Sequence, residues 1–242
     1  MDFTFTPIKT RVVHPPKDEI WDVLDNLPPL QEKDILFITS KIMAIHQGRC
    51  VPCARTDKRD LIQREASYYL PYRHALGFNV NLTITNNILI AAAGIDASNA
   101  DNHYILWPQD VDELCREIRE FLCKKNKIHD LGVISTDSHT TPLRYGVTGI
   151  TIGLAGVEPV RDFRGKKDLF GRELLMTQVN EVDALSAMAV LLMGESDEAT
   201  PIVLLRGYDK IKFNADASMK DFKIPPEADL YRPLLDVMTK IK

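Results

Sequence analysis

No apolar run in the sequence approaches the length of a membrane span, so a helical membrane protein is not expected. The first residues, "MDFTFTPIKTRVV", carry an early acid and lack a long apolar stretch, unlike a secretory signal. Net charge is small: it is formally −4, and no global basic field points to nucleic acid. Cysteine is scarce, with four residues, Cys50, Cys53, Cys115 and Cys123. Cys50 and Cys53 form a C-x-x-C, but Cys115 and Cys123 do not supply a second pair at zinc-ligand spacing. The six histidines are scattered, none at i, i+4 from another. Two nucleotide-binding motifs are missing: no G-x-x-x-x-G-K-[ST], and no G-x-G-x-x-G after a strand. The expectation is a soluble cytoplasmic protein with small-molecule partners, no nucleic acid and no membrane.

What is present is a core-forming chain. Apolar residues make up 45% of 242, enough for one large domain or two lobes sharing a site. Periodicity predicts helices over 15–27, 56–70 (capped by Thr56 or Asp57), 110–125, 180–195 and about 230–241. Asn180 caps the fourth of these, with Asp183 in the capping-box position. Strands are predicted over 34–39, 131–136, 148–156 and 200–207, and 78–84 with 87–94 reads as a hairpin. The glycines of "GITIGLAG" fall inside a strand and read as close backbone packing. Helices and strands interleave without a strict βαβ rhythm, which predicts an α+β or mixed α/β fold with a mixed sheet.

Three of these elements end in an acid beside small polar residues. The 87–94 strand runs into "GIDASN" with Asp96, 131–135 into "STDS" with Asp137 and Ser138, and 181–193 into "MGES" with Glu195. Such acids often close turns by bonding their own backbone. Carboxylates from separate elements also suit a hard divalent cation, and two cations held this way neutralise a nucleotide's phosphates. Glu195 stands out because an acid at a helix C-terminus is disfavoured by the helix dipole, a penalty that a bound cation relieves. "RDFRGKKDLFGRE" (161–173) alternates five cations with three acids. It reads as a solvated loop or subunit contact, with recognition of an anionic substrate as the functional alternative.

"GVISTDS", "GVTGITIGLAGVEPVRDFRGKKDLFGRELLMT", "VDALSAMAVLLMGE" and "PIVLLRG" together resemble the coenzyme F-420:L-glutamate ligases, the γ-glutamyl ligases. "TSKIMAIHQGR" and "AGIDASN" add to the resemblance, which is strongest over 131–207 and scarcely extends beyond 208. It implies a gamma-glutamyl-ligase-like α+β fold, one ligase domain over 1–242 with a poorly matched 208–242 tail, and a homodimer. It also implies a GTP-dependent enzyme with two Mn²⁺ or Mg²⁺ ions. Such an enzyme joins L-glutamate to the carboxylate of F-420-0 through an acyl phosphate. Carried over by motif, the metal ligands fall on Asp96, Asp137, Ser138 and Glu195. Nucleotide contacts fall on Ser40, Lys41, Asn99, Met193, Gly194, Ser196 and Asp197, and a nucleotide loop maps loosely to Thr10–Val13. A lysine common in the family is replaced here by Ile45, with Lys41 nearby. The loop "HTTPLR" (139–144) keeps only Arg144, the residue expected to meet the acceptor carboxylate. These departures leave two other readings: the same chemistry on a different carboxylate, or a metal–nucleotide binder without turnover.

Overall fold

The computed structural model describes residues 2–71 and 80–241. In chain order the elements begin β1 (Thr4–Ile8), α1 (Trp21–Asp25), β2 (Asp34–Thr39), α2 (Ser40–His46), β3 (Cys50–Pro52) and α3 (Lys58–Glu65). There follow β4 (Tyr68–Tyr69), β5 (Leu82–Thr85), β6 (Ile88–Ala91), β7 (His103–Ile105), α4 (Val111–Asn126), β8 (Leu131–Thr140) and β9 (Val147–Val157). The chain ends with β10 (Val160–Asp162), β11 (Gln178–Asn180), α5 (Glu181–Met193), β12 (Ile202–Arg206), β13 (Phe213–Asn214), α6 (Arg232–Leu235) and β14 (Thr239–Lys240).

Alternation along β2 sets the architecture. Its residues are buried almost throughout, as a strand covered on both faces must be. Leu36 and Ile38 join α4's Leu114, Ile118 and Leu122 in one core. Ile35 and Phe37 join α5's Val182, Leu185 and Ala189 in the other. The sheet between them has the order β1-β12-β2-β8-β9-β13. β2 and β8 run parallel, and their neighbours run antiparallel, so the sheet is mixed. A smaller sheet, β14-β4-β5-β6, carries the hairpin, whose turn places Asn86 and Asn87 at φ 50° and 66°. Asparagine tolerates that left-handed conformation, and two such residues in succession suit a tight hairpin turn. Phe78 and Asn79 of the predicted 78–84 strand lie outside the described residues.

The glycines of β9 answer to packing. A Cβ on Gly149 would sit 2.3 Å from the Ser186 carbonyl oxygen of α5, and one on Gly153 would sit 2.3 Å from Val111 of α4. Both helices therefore lie directly on the strand's backbone. Several element boundaries shift from expectation. The first helix is confined to Trp21–Asp25, after the prolines. The 56–70 segment divides: Asp57 caps α3 by accepting from the Arg59 amide at 2.8 Å, and Tyr68–Tyr69 turns into strand to pair with β5. The tail forms a four-residue helix and then β14, which pairs with β4. Among the described residues no helix is long and apolar enough to cross a membrane.

Candidate functional site

The carboxyl ends of the parallel strands β2 and β8 open into a cleft of about 360 Å³. In open α/β sheets this is where ligands settle, since the strands deliver successive loops to one edge. β2 passes directly into α2, so Ser40 and Lys41 stand at the rim. β8 runs further than expected, to Thr140, so Asp137 and Ser138 lie within the strand rather than after it. Neighbouring strand residues face opposite ways. Asp137 accordingly turns to Ser40 and Trp107, and Ser138 to Glu195.

Asp96 reaches the cleft through an unusual turn. Ala92, Ala93 and Gly94 all have positive φ, at 52°, 55° and 73°. For each alanine this costs roughly 1 kcal/mol, so something must hold the turn. Thr83 does part of this, its Oγ1 accepting from the Ala93 amide at 2.9 Å, and Asn81 accepts from the Ala92 amide at 2.7 Å. Asp96 then exchanges backbone hydrogen bonds with Ile105, of 3.1 and 2.8 Å. A Cβ on Gly94 would stand 2.2 Å from Trp107 Nε1, so glycine is required for the indole to sit there. From that position the indole N–H donates to Asp137 Oδ2.

Glu195 follows α5 after Gly194, at φ 79°. Thr200 closes this end by donating to the Met193 carbonyl at 2.6 Å. Asn99 donates to the Ser196 carbonyl at 2.7 Å and so ties the Asp96 loop to the Glu195 loop. Met193, Gly194, Ser196, Asp197 and Asn99 all line the cleft, as do Thr10–Val13.

The two central acids differ in how their charge is compensated. Burial acts to raise Asp96, but the Lys41 ammonium at 2.6 Å and the Ser98 hydroxyl outweigh it and hold the carboxyl at about 2. Burial pushes Asp137 up to about 6, against hydrogen bonds from Trp107, the Ser138 amide and Ser40. All of those donors are neutral. Among the described residues Asp137 has no cationic partner within salt-bridge distance. Burial also raises Glu195. Three carboxylates and a serine hydroxyl are hard oxygen donors of the kind Mg²⁺ and Mn²⁺ take, and the under-compensated Asp137 fits such a cation.

Asp96, Asp137, Ser138 and Glu195, brought from three distant stretches of sequence, thus share one cleft with Ser40 and Lys41. Among the described residues no three His, Cys, Asp or Glu side chains form a ready metal-holding group. Lys41 instead holds Asp96. Arg144 does not join them. The β8–β9 ladder continues to Thr140–Val147 and carries the hairpin tip past the cleft, where Arg144 bonds the neighbouring Leu143 carbonyl. Trp107 and Glu198 also line the cleft. Sequence reasoning missed both, since a tryptophan in "LWPQD" follows no motif. Ile45 is buried in the core and also borders the cleft.

Comparison with known proteins gives this cleft a context. The chain is 32% identical over 238 residues to the Coenzyme F420:L-glutamate ligase of Methanopyrus kandleri, covering 90% of this chain and 92% of that protein. It is 30% identical over 234 residues to the enzyme of the same name from Methanosarcina mazei, covering 86% and 89%. The match to the Methanothermobacter thermautotrophicus Coenzyme F420:L-glutamate ligase is 36% over 148 residues and spans 58% of that protein. The pattern of the F420-0:Gamma-glutamyl ligase family matches residues 7–207, which include every acid of the cleft and stop short of the tail. The chain belongs to the F420-0:gamma-glutamyl ligase family.

Proposed function

We propose that this chain is a GTP- and divalent-metal-dependent ligase that joins L-glutamate to the carboxylate of F420-0 as an amide. The observation that carries the reading is the gathering of Asp96, Asp137, Ser138 and Glu195 in one cleft of a chain of this family. Charge makes the cation necessary. Among the described residues the cleft is lined by the acids Asp96, Asp137, Glu195, Asp197 and Glu198 but by only two strong cations, Lys41 and Arg11. Arg11 is already paired with Asp18 at 2.6 Å. A triphosphate entering such a cleft is repelled unless cations come with it. Mg²⁺ or Mn²⁺ held by Asp96, Asp137, Ser138 and Glu195 would neutralise the phosphates and orient the γ-phosphoryl group.

The chain's own side chains do the rest. Ser40, Lys41, Asn99 and residues 193–197 face the nucleotide. An acceptor carboxylate oxygen attacks the γ-phosphorus and GDP departs. The glutamate amine then attacks the acyl carbon, phosphate leaves and the amine proton is lost, which gives the amide. We ascribe the family's gamma-glutamyl-ligase fold and its homodimer to this chain as well. The dimer is supported by side chains left in solvent: Leu143 at 96% exposure, Leu169 at 98%, Phe170 at 96% and Leu191 at 74%. The adjacent Leu169 and Phe170, both almost fully exposed, suit an association surface.

A second reading keeps the chemistry and changes the acceptor, favoured by the placement of Arg144 outside the cleft. The test is GDP release from GTP with Mn²⁺ and glutamate, across a panel of carboxylates. F420-0 alone supporting turnover favours the first reading. Turnover only with another carboxylate favours the second, and none with any carboxylate rejects the ligase.

A further inference from the structure

The cation nearest the proposed metal ligands belongs to the protein itself. Lys41 Nζ donates to Asp96 Oδ2 at 2.6 Å, to the Ser98 carbonyl at 2.8 Å and to Ser98 Oγ at 3.1 Å. An ammonium has three protons, and all three find acceptors in the 96–98 segment. We infer that Lys41 is a displaceable counter-ion: it neutralises Asp96 while no divalent cation is bound, competes with that cation for the carboxylate, and is released to the nucleotide's phosphates when the cation arrives. The inference rests on the metal-dependent reading above and adds an order of events to it.

Two features make Lys41 exchangeable rather than structural. The first is that Asp96 does not need it for orientation. Asp96 Oδ1 accepts from the Ala97 amide at 2.6 Å and the Ser98 amide at 2.9 Å, and Oδ2 accepts from Ser98 Oγ at 2.5 Å. These local bonds keep the carboxylate aimed when the ammonium leaves. The second is exposure. The Asp96 side chain is 49% exposed and that of Lys41 24%, so an arriving cation reaches the carboxylate from solvent. A divalent ion brings twice the charge to the same oxygen, so it wins the exchange once its remaining ligands are available.

Lys41 also has somewhere to go. It stands at the start of α2 beside Ser40, whose hydroxyl donates to Asp137 at 3.2 Å, so its flexible stem is rooted between the two acids. The other strong cation lining the cleft, Arg11, is committed to Asp18 and to the Glu19 carbonyl. Among the described residues lining the cleft, Lys41 is therefore the cation left to meet incoming phosphate.

Mn²⁺ titration of the nucleotide-free chain, followed by the electron paramagnetic resonance of free Mn²⁺, tests this without reference to turnover. Lys41→Met should bind Mn²⁺ about tenfold more tightly than the unaltered chain, and Lys41→Arg, which keeps the charge, should not. Asp96→Asn added to Lys41→Met should abolish the gain. Calorimetry in saturating Mn²⁺ should show GTP binding to Lys41→Met about tenfold more weakly. Equal Mn²⁺ affinity in Lys41→Met and the unaltered chain overturns the inference and leaves the metal-dependent reading standing. Failure of Mn²⁺ to bind either protein, even with GTP present, overturns both. Circular dichroism of each variant checks that it is folded.

Discussion

Asp137 stands at the residue scale as a conflict between stability and function. Burial holds its pKa at about 6, so its charge is a burden in the folded chain without a cation. A carboxyl raised on folding carries no penalty below its unfolded pKa of about 4 and a full penalty above about 6. Asp137→Asn should therefore raise folding stability at pH 7 by roughly 1–3 kcal/mol. That gain should disappear as pH falls below about 4, as read by urea unfolding at several pH values. The same variant should lose at least about tenfold in affinity for GTP with Mn²⁺ by calorimetry, because a formal charge facing the cation is gone. Unchanged affinity would remove Asp137 from the proposed ligand set. Trp107 offers a direct readout of this acid, as its indole donates to it, while the other tryptophan, Trp21, packs against His46 and Phe121. In a Trp21→Phe chain, fluorescence should change on addition of GTP with Mn²⁺, and Asp137→Asn should weaken the response.

At the scale of elements, the site depends on how closely α4, α5 and the hairpin approach the sheet. Gly153→Ala would place a methyl group against Val111 and force α4 off β9. Overpacking of this kind costs about 1–3 kcal/mol, to be measured by denaturant unfolding. Gly94→Ala is expected to act more locally, through Trp107, by pushing the indole from Asp137. Much at this scale was legible in the sequence. α4 and α5 carry long periodic patterns with an obvious start, and Asn180 indeed accepts from the Asp183 amide at 3.1 Å. Short elements were not. Thr4–Ile8 becomes a strand because β12 offers it an edge, and Tyr68–Tyr69 because β5 does. Such pairing is long-range, and a window of sequence does not contain it. Asp96, Asp137 and Glu195 could be nominated because each follows an apolar run. Trp107 could not, because its role depends on the missing Cβ of Gly94, thirteen residues away.

At the scale of the whole molecule, the exposed apolar side chains of the β8–β9 tip and the 163–177 loop call for a covering surface. Phe170→Asp combined with Leu169→Asp should convert a dimer to monomer in sedimentation velocity and leave the helical circular dichroism unchanged. Persistence of the dimer would move the contact elsewhere. The tail beyond 207, outside the family match, ends by adding β14 to the small sheet. The central claim concerns the reaction, and one isotope measurement tests it most directly. F420-0 labelled with ¹⁸O in the acceptor carboxylate is incubated with the chain, GTP, Mn²⁺ and L-glutamate, and the product and released phosphate are analysed by mass spectrometry. Transfer through an acyl phosphate predicts a glutamyl amide product and one ¹⁸O atom in each phosphate released. Absence of the glutamyl product, or phosphate free of label, would contradict the account.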